Sequence, residues 1–472
     1  MLITFRVSNF LSFNDEVELS MQAGSQRNLP SHYISTGSGR NDVNILKTAV
    51  IYGANASGKS NLIKAMDFAK KVIVNGIKSE TTYNKHFRLD PANRQKPSSF
   101  EFEFKLDAKM YAYGFSVHLE NKKIQEEWLV ELGKTTENVI YERKVLENGT
   151  SEFPIFNLKL TDKKAINRFE VYKEDVLDSQ LFLTELSFKN LDNIDEAEVF
   201  DNAFHWLEVH LIIMPLPDIN FLEFGPWSVG INSAEDYAKY FKLFNLGISQ
   251  VITQELSVDV VDSLKNEHNL KELFERVYDV KHEVDFLFPF VFHLNGQTRR
   301  FAFYKDGNSN VKVIELIAQT PSKNGMIEFE MPELSFGTQR ILDLLPVLTT
   351  TEKYDYTIII DEIDRSLHPE LSRKFLEIFL QISKGIESQL IVSTHESSLL
   401  DLNLLRRDEI WFTEKDPNGA TKLYSLEEFK PRHDTELRKA YLTGRFGAIP
   451  FISNVKSLGW IKDKPLETTP SV

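Results

Sequence analysis

The hydrophobic pattern changes period several times along the chain. "LITFRVSNFLSF" (2–13) alternates apolar and polar positions as a half-buried strand does, and "TAVIY" (48–52) is a short apolar run typical of a buried strand. After a loop, Leu62, Ala65, Met66, Ala69, Val72 and Ile73 recur at helical spacing, which predicts a helix over 61–74. Three period-two runs, "SSFEFEFKLD", "MYAYGFSVHLE" and "EEWLVELG", follow between about 99 and 145, separated by turn-forming "DAK" and "ENKK". They predict an antiparallel meander that forms a layer of its own. From about 181 to 285 the pattern is mainly helical ("AEDYAKYFKLF", "VVDSLKNEHNLKELFERVYDV"), broken by "PLPD" and "FGPW". No heptad is sustained over three or four repeats, so a long coiled-coil arm is not expected. Strands return at "FVFHL", "RRFAFYKDG" and "VKVIELIAQ", and from 333 helices alternate with short apolar strands, as in a parallel sheet flanked by helices. The expected class is α/β, with an N-terminal lobe (1–180), a helical insert (181–290), a C-terminal lobe (291–430) and a tail (431–472).

Composition narrows the chemistry. No run of 18 apolar residues occurs and polar residues interrupt the N-terminus, so neither a membrane span nor a secretory signal is expected and the cytoplasm is the expected compartment. The absence of cysteine excludes disulfides, Cys-ligated zinc and iron–sulfur clusters. The net charge of -14 argues against bulk electrostatic coating of nucleic acid. Its excess sits in 181–290, with 20 acidic against 7 basic residues, whereas 402–472 carries 12 basic against 10 acidic. An acidic helical surface suits a protein partner better than a DNA backbone; a solvated face with no partner has the same composition.

Gly53-Ala54-Asn55-Ala56-Ser57-Gly58-Lys59-Ser60, continuing into Asn61, fits G-x-x-x-x-G-K-[ST] in the required strand–loop–helix setting. The glycines let backbone N–H groups approach a β-phosphate beside the positive end of the helix. Lys59 is placed to neutralise β/γ oxygens and Ser60 to hold Mg²⁺ through its hydroxyl. Further on, "YTIIIDEIDRSLHPEL" sets a strand (357–360) before Asp361 and Glu362: the first could reach Mg²⁺ and the second could polarise an attacking water. A solvated acidic turn reads the same way. The next strand, "SQLIVST", ends at His395, a candidate for the γ-phosphate side or a structural histidine. In "ELSFGTQRILDLL", Ser335 and Gly337 precede a helix expected to begin near Thr338, giving a second anion site or a simple N-cap. One pocket does not need two γ-phosphate cradles. The economical explanation is that the second closes over nucleotide held by another copy of the chain.

In this order the elements resemble the ABC-type ATPase head shared by SMC and RecF-like proteins: Walker A at 53–60, an "LSxGxxR" signature at 334–340 including Gln339 and Arg340, Walker B at 357–362, a D-loop at 366–371 and a switch histidine at His395. Phe336 and Thr338 depart from LSGGQ in the manner of soluble SMC-like heads. More narrowly, "MLITFRVSNFLSF", "FRLD", "SFGTQR" and "DEIWFTEKDPNGATKLYSLEEFK…YLTGRFGAIPF" resemble the AbiL/RloA-like family of bacterial ATPases. The resemblance implies a P-loop ATPase head with a mixed sheet, ATP and Mg²⁺ as ligands, and a homodimer or higher homo-oligomer with shared ATP sites. It further implies a role in anti-phage defence beside a separate effector, commonly a nuclease. Gln180 is the candidate for the family's Q-loop glutamine, or else an ordinary surface residue.

The competing expectation is a RecF- or SMC-like repair ATPase that binds duplex DNA, for which the basic candidates are Arg299, Arg300 and Lys305, and the pair Arg406-Arg407. A fused nuclease is not expected, because only 77 residues follow His395 and no HNH pattern appears among the 11 histidines.

Overall fold

The computed structural model describes residues 1–36, 43–133, 137–191, 194–215, 234–256, 286–294, 297–305, 311–431 and 436–449. Its organising element is a six-stranded sheet in the order Leu211–Met214, Thr357–Ile360, Gln389–Ser393, Thr48–Gly53, Ile410–Lys415 and Thr421–Ser425. The first five strands are parallel and the last closes an antiparallel hairpin. The inner strands Thr357–Ile360, Gln389–Ser393 and Thr48–Gly53 are buried at every position because both faces are covered. Ala49 and Ile51 enter one hydrophobic core, while Val50 and Tyr52 enter another. Ile359 and Ile391 divide from Ile358, Ile360, Leu390 and Val392 in the same alternating way.

The first core is shared with a seven-stranded antiparallel sheet, ordered Ser151–Phe156, Glu137–Val145, Lys123–Leu132, Lys109–His118, Ser98–Leu106, Leu2–Ser8 and Val17–Ser20. The expected meander is there, extended by the opening strand on one side and Ser151–Phe156 on the other. Helix Lys59–Asn75 fills this core with Leu62, Ile63, Met66, Phe68, Val72 and Ile73, and is longer by two residues at its start and one at its end than its periodicity predicted. The second core holds helices Phe336–Thr351, Pro369–Ile382 and Leu437–Leu442 against the opposite face. The fold is α/β, with the central, mostly parallel sheet lying between the antiparallel sheet and a layer of helices.

Residues 181–214, expected to begin a separate helical unit, instead belong to these layers. Leu181, Phe182, Leu183, Phe200, Trp206 and Leu207 are buried in the first core, with the Trp206 ring stacked on Phe104 at 4.2 Å. Leu211–Met214 is the edge strand of the central sheet, in register with Thr357–Ile360. Four apolar residues are too few for a period to show, so "LIIM" is not separable by pattern from the helices before it. Gln250–Glu255 is likewise a strand; it joins Val311–Ser322, Gln297–Lys305, Phe286–Leu294 and Gly325–Glu330 in a third, antiparallel sheet. Ala234–Leu243 is helical as expected, whereas the helix expected from "VVDSLKNEHNLKELFERVYDV" lies outside the described residues. Of the tail, Leu437, Ala440, Tyr441 and Phe446 pack into the second core.

A buried ion pair joins the antiparallel sheet to helix Phe182–Ser187. Glu127 and Arg143 have fully buried side chains 3.2 Å apart. The Glu127 carboxylate also accepts from Tyr113 Oη (2.9 Å), Tyr141 Oη (2.7 Å) and the backbone N–H groups of Phe182 (2.7 Å) and Leu183 (3.0 Å). Arg143 donates to the carbonyls of Gln180 (2.6 Å) and Leu177 (2.8 Å).

Candidate functional site

Strand Thr48–Gly53 delivers the glycine loop to the C-terminal edge of the central sheet, and helix Lys59–Asn75 leaves from it. Gly58 has φ 120° and Ala56 φ 63°, left-handed conformations of which the first is strained for any side chain. A Cβ on Gly58 would overlap the Thr421 side chain, and one on Gly53 would overlap the Ser57 hydroxyl and Thr413. The helix has no acidic residue in its first turn and no side-chain cap at its N-terminus, so its first N–H groups remain available to an anion.

A cleft of about 490 Å³ opens over this loop, lined by Asn55, Ala56, Ser57, Gly58, Lys59, Ser60, Asn61, Glu362 and His395. Lys59 donates to the carbonyls of Gly53 (2.7 Å) and Ala54 (3.2 Å), and its Nζ lies 3.4 Å from His395 Nδ1. Burial lowers its pKa to about 8, while the charges of Asp361, Glu362 and Asp364 pull it back up. An incoming phosphate would supply the directly paired anion that this ammonium lacks among the described residues.

The four fully buried residues of Thr357–Ile360 carry Asp361 to the same edge, where its N–H donates to Met214 O at 3.1 Å. Oδ1 accepts from Ser393 Oγ (2.5 Å); Oδ2 is buried and has no hydrogen-bond partner among the described residues. A buried carboxylate oxygen left unpaired is costly unless something occupies it. Asp361 does not itself line the cleft, but its charge reaches Lys59, and with the Ser60 hydroxyl on the cleft wall the candidate donors are all oxygen, which fits Mg²⁺. Glu362 has φ 49°, its N–H donates to Ser393 Oγ (2.8 Å), and its carboxylate lies 3.9 Å from His395 Nε2. The His395 N–H donates to Asp364 (3.2 Å). Burial and then the Lys59 charge lower the His395 pKa, leaving the imidazole neutral at neutral pH.

The signature stands apart from this cleft. Ser335 caps helix Phe336–Thr351, which starts two residues before the expected Thr338, by accepting from Thr338 N at 3.1 Å. Ser335 is exposed and the Phe336 side chain is 79% exposed. A Cβ on Gly337 would stand 3.1 Å from the D-loop carbonyl of Ser366. Gln339 and Arg340, expected as nucleotide ligands, bond within their own chain: Gln339 Nε2 to Leu334 O (2.9 Å) and Arg340 Nη2 to Glu362 O (3.2 Å). Within one chain, therefore, Lys59, Ser60, Glu362 and His395 line the cleft, and the signature residues do not, although Arg340 reaches the backbone of Glu362.

Gln180 is not at the loop. Its neighbourhood is tied to the far end of the helix, where Thr184 Oγ1 donates to Ile73 O (2.6 Å), 14 residues or roughly 21 Å from Lys59. Sequence reading also missed the residues that brace the site. Ser393 bridges Asp361 and Glu362, Asp364 holds the His395 backbone, and Thr413 and Thr421 support the loop. A serine or threonine at a strand end carries no motif, although Asp364 is visible as the third acid of "DEID".

The basic pair proposed for DNA is consumed internally. Arg406 is buried, paired with Asp408 at 2.7 Å and donating to Asn28 O at 2.7 Å; Arg407 pairs with Glu427 at 3.0 Å. Arg299, Arg300 and Lys305 lie in strand Gln297–Lys305. No described helix is long and apolar enough to cross a membrane, and no group of three or more His, Asp and Glu residues among the described residues is arranged to hold a metal.

Among solved structures, the chain is similar to an Smc head bound to the C-winged helix domain of ScpA (14% identity, 91% of this chain and 99% of that one, TM-score 0.38). It is also similar to the SMC head domain from Thermotoga maritima (11%, 90% and 98%, TM-score 0.32). A third is the Smc head domain with an extended coiled coil bound to the C-terminal domain of ScpA, from Pyrococcus furiosus (14%, 91% and 99%, TM-score 0.33). No curated protein matches the sequence. Residues 49–170 and 166–401 match the family described as "AAA domain, putative AbiEii toxin, Type IV TA system", and the chain belongs to this family of AAA-type ATPases.

Proposed function

We propose that the protein binds and hydrolyses ATP with Mg²⁺ and acts as a nucleotide-dependent oligomeric switch that controls a separate effector. The observation that carries the ATPase reading is the convergence of Lys59, Ser60, Glu362 and His395 on one glycine-loop cleft, with Glu362 next in sequence to Asp361, whose buried Oδ2 has no partner among the described residues. Asp361 and Ser60 would hold Mg²⁺, which when bound supplies charge neutralisation to the phosphate oxygens. Lys59 and the first N–H groups of helix Lys59–Asn75 orient the phosphates, Glu362 accepts the proton of the attacking water, and neutral His395 faces the γ-phosphate side. Exposed Ser335 and half-buried Gly337, neither of which lines the cleft, complete the site of a second copy.

Nucleotide then holds two chains together, and loss of the γ-phosphate contacts releases them. The family description names a "putative AbiEii toxin, Type IV TA system", and we place this switch in bacterial anti-phage defence with a nuclease-like effector supplied in trans. The burial of Arg406 weighs against the alternative, a DNA-repair ATPase gripping duplex DNA. Two variants test the site. Lys59→Ala should abolish ATP binding by calorimetry, while Glu362→Gln should bind ATP normally and lose about 100-fold or more in turnover. Wild-type affinity in the first, or wild-type turnover in the second, would remove the corresponding assignment.

A further inference from the structure

The loop that cradles phosphate is held from outside the segment that matches the family. Thr413 and Thr421 lie beyond residue 401, and Ser12 precedes residue 49. Thr421 Oγ1 lies 2.8 Å from both Ser57 O and Ser12 Oγ. A carbonyl can only accept, so the Thr421 hydroxyl donates to Ser57 O and the Ser12 hydroxyl completes the chain. Thr421 N also donates to Ser12 O at 2.7 Å. On the other side, Thr413 Oγ1 and Ser57 Oγ are 2.6 Å apart, and the Ser57 N–H donates to Ala54 O at 3.2 Å. Ser57, Thr413 and Thr421 are all buried, so these bonds do not compete with water. The Thr421 side chain also occupies the space where a Cβ on Gly58 would be.

We propose that Thr421, together with Thr413 and Ser12, is a positioning residue that presets the phosphate loop for ATP, so that nucleotide affinity depends on the C-terminal hairpin Ile410–Ser425. Gly58 holds φ 120°, and the carbonyl just before it points at Thr421 rather than into the cleft. With that carbonyl turned away, the neighbouring N–H groups are free to face an anion. Without the brace, the Ser57–Gly58 peptide can rotate, and part of the binding energy goes into re-forming the loop. The hairpin is itself anchored beyond the loop. Tyr424 Oη donates to Phe446 O (2.9 Å), and the Phe412 ring lies 5.7 Å from that of Tyr441, so the segment 436–449 is packed directly on it.

This inference rests on the reading of the loop as an ATP site, and the two can fail separately. Steady-state kinetics and calorimetric titration with MgATP would be run on the full chain carrying Thr421→Val, Thr421→Ser, Thr413→Val or Lys59→Ala. One lost buried hydrogen bond corresponds to a roughly two- to tenfold change. Thr421→Val should therefore raise both Kd and KM for ATP by about fivefold with kcat within about twofold, and Thr421→Ser should restore them. Thr413→Val should act in the same direction and reads the same brace if Thr421→Val does not fold. Normal binding by Lys59→Ala would overturn the ATP site itself. Loss of binding in Lys59→Ala with wild-type affinity in both valine variants would overturn the brace alone, as would a defect confined to kcat or one that Thr421→Ser fails to repair.

Discussion

At Asp361 two oxygens of one carboxylate meet different fates: Ser393 satisfies Oδ1, and Oδ2 is buried without a partner among the described residues. Asp361→Asn keeps the shape and removes the charge. It should raise the Mg²⁺ concentration needed for half-maximal ATP turnover by roughly 10- to 100-fold, the worth of one charge-assisted contact. Turnover titrated against Mg²⁺ at saturating ATP reads it, and an unchanged midpoint would show that Asp361 is not a ligand. This residue was legible in the sequence because the wholly β-branched run "TIII" reads as a buried strand and the acid stands directly at its end. Lys59 and Ser60 were legible from glycine spacing. The positive φ of Glu362 and the roles of Ser393, Thr413 and Thr421 were not. Threonine is an ordinary strand former, and its hydroxyl partner lies hundreds of residues away in the chain.

At the level of elements, periodicity placed the phosphate-loop helix and the meander, which are long and amphipathic. It failed for Leu211–Met214, whose position beside the Walker B strand depends on partners distant in sequence. Its helical reading of 181–207 holds in Phe182–Ser187 and Glu198–His205, but it could not show that these helices attach to the first core, partly through Glu127 and Arg143. A charge pair hidden inside a period-two strand pattern reads as two solvent-facing residues. Removing one partner leaves the other charge buried, which costs about 3–5 kcal/mol. Arg143→Met should lower unfolding stability by that amount in urea titration, and the double variant Glu127→Gln with Arg143→Met should recover part of it. A loss below about 1 kcal/mol would mean that water reaches Glu127 and that the pair does not anchor helix Phe182–Ser187.

For the whole molecule, the decisive geometry is that one chain builds the loop side of the cleft and presents its signature elsewhere. Ser335, at the N-cap of a 16-residue helix, is exposed beside an exposed Phe336, a placement without purpose for a self-contained site. If two copies pair with twofold symmetry, each signature faces the other chain's loop. Lys59→Ala and Ser335→Arg should then each be inactive alone, for different reasons. In a heterodimer of the two, the loop of the Ser335→Arg chain meets the signature of the Lys59→Ala chain, and both are intact. An equimolar mixture forms heterodimers half the time with one working site of two, so about a quarter of wild-type ATPase activity should return on mixing. Sites complete within one chain would return none. Activity proportional to the square of protein concentration at high dilution would separately show that the dimer, and not the single chain, is the hydrolysing species.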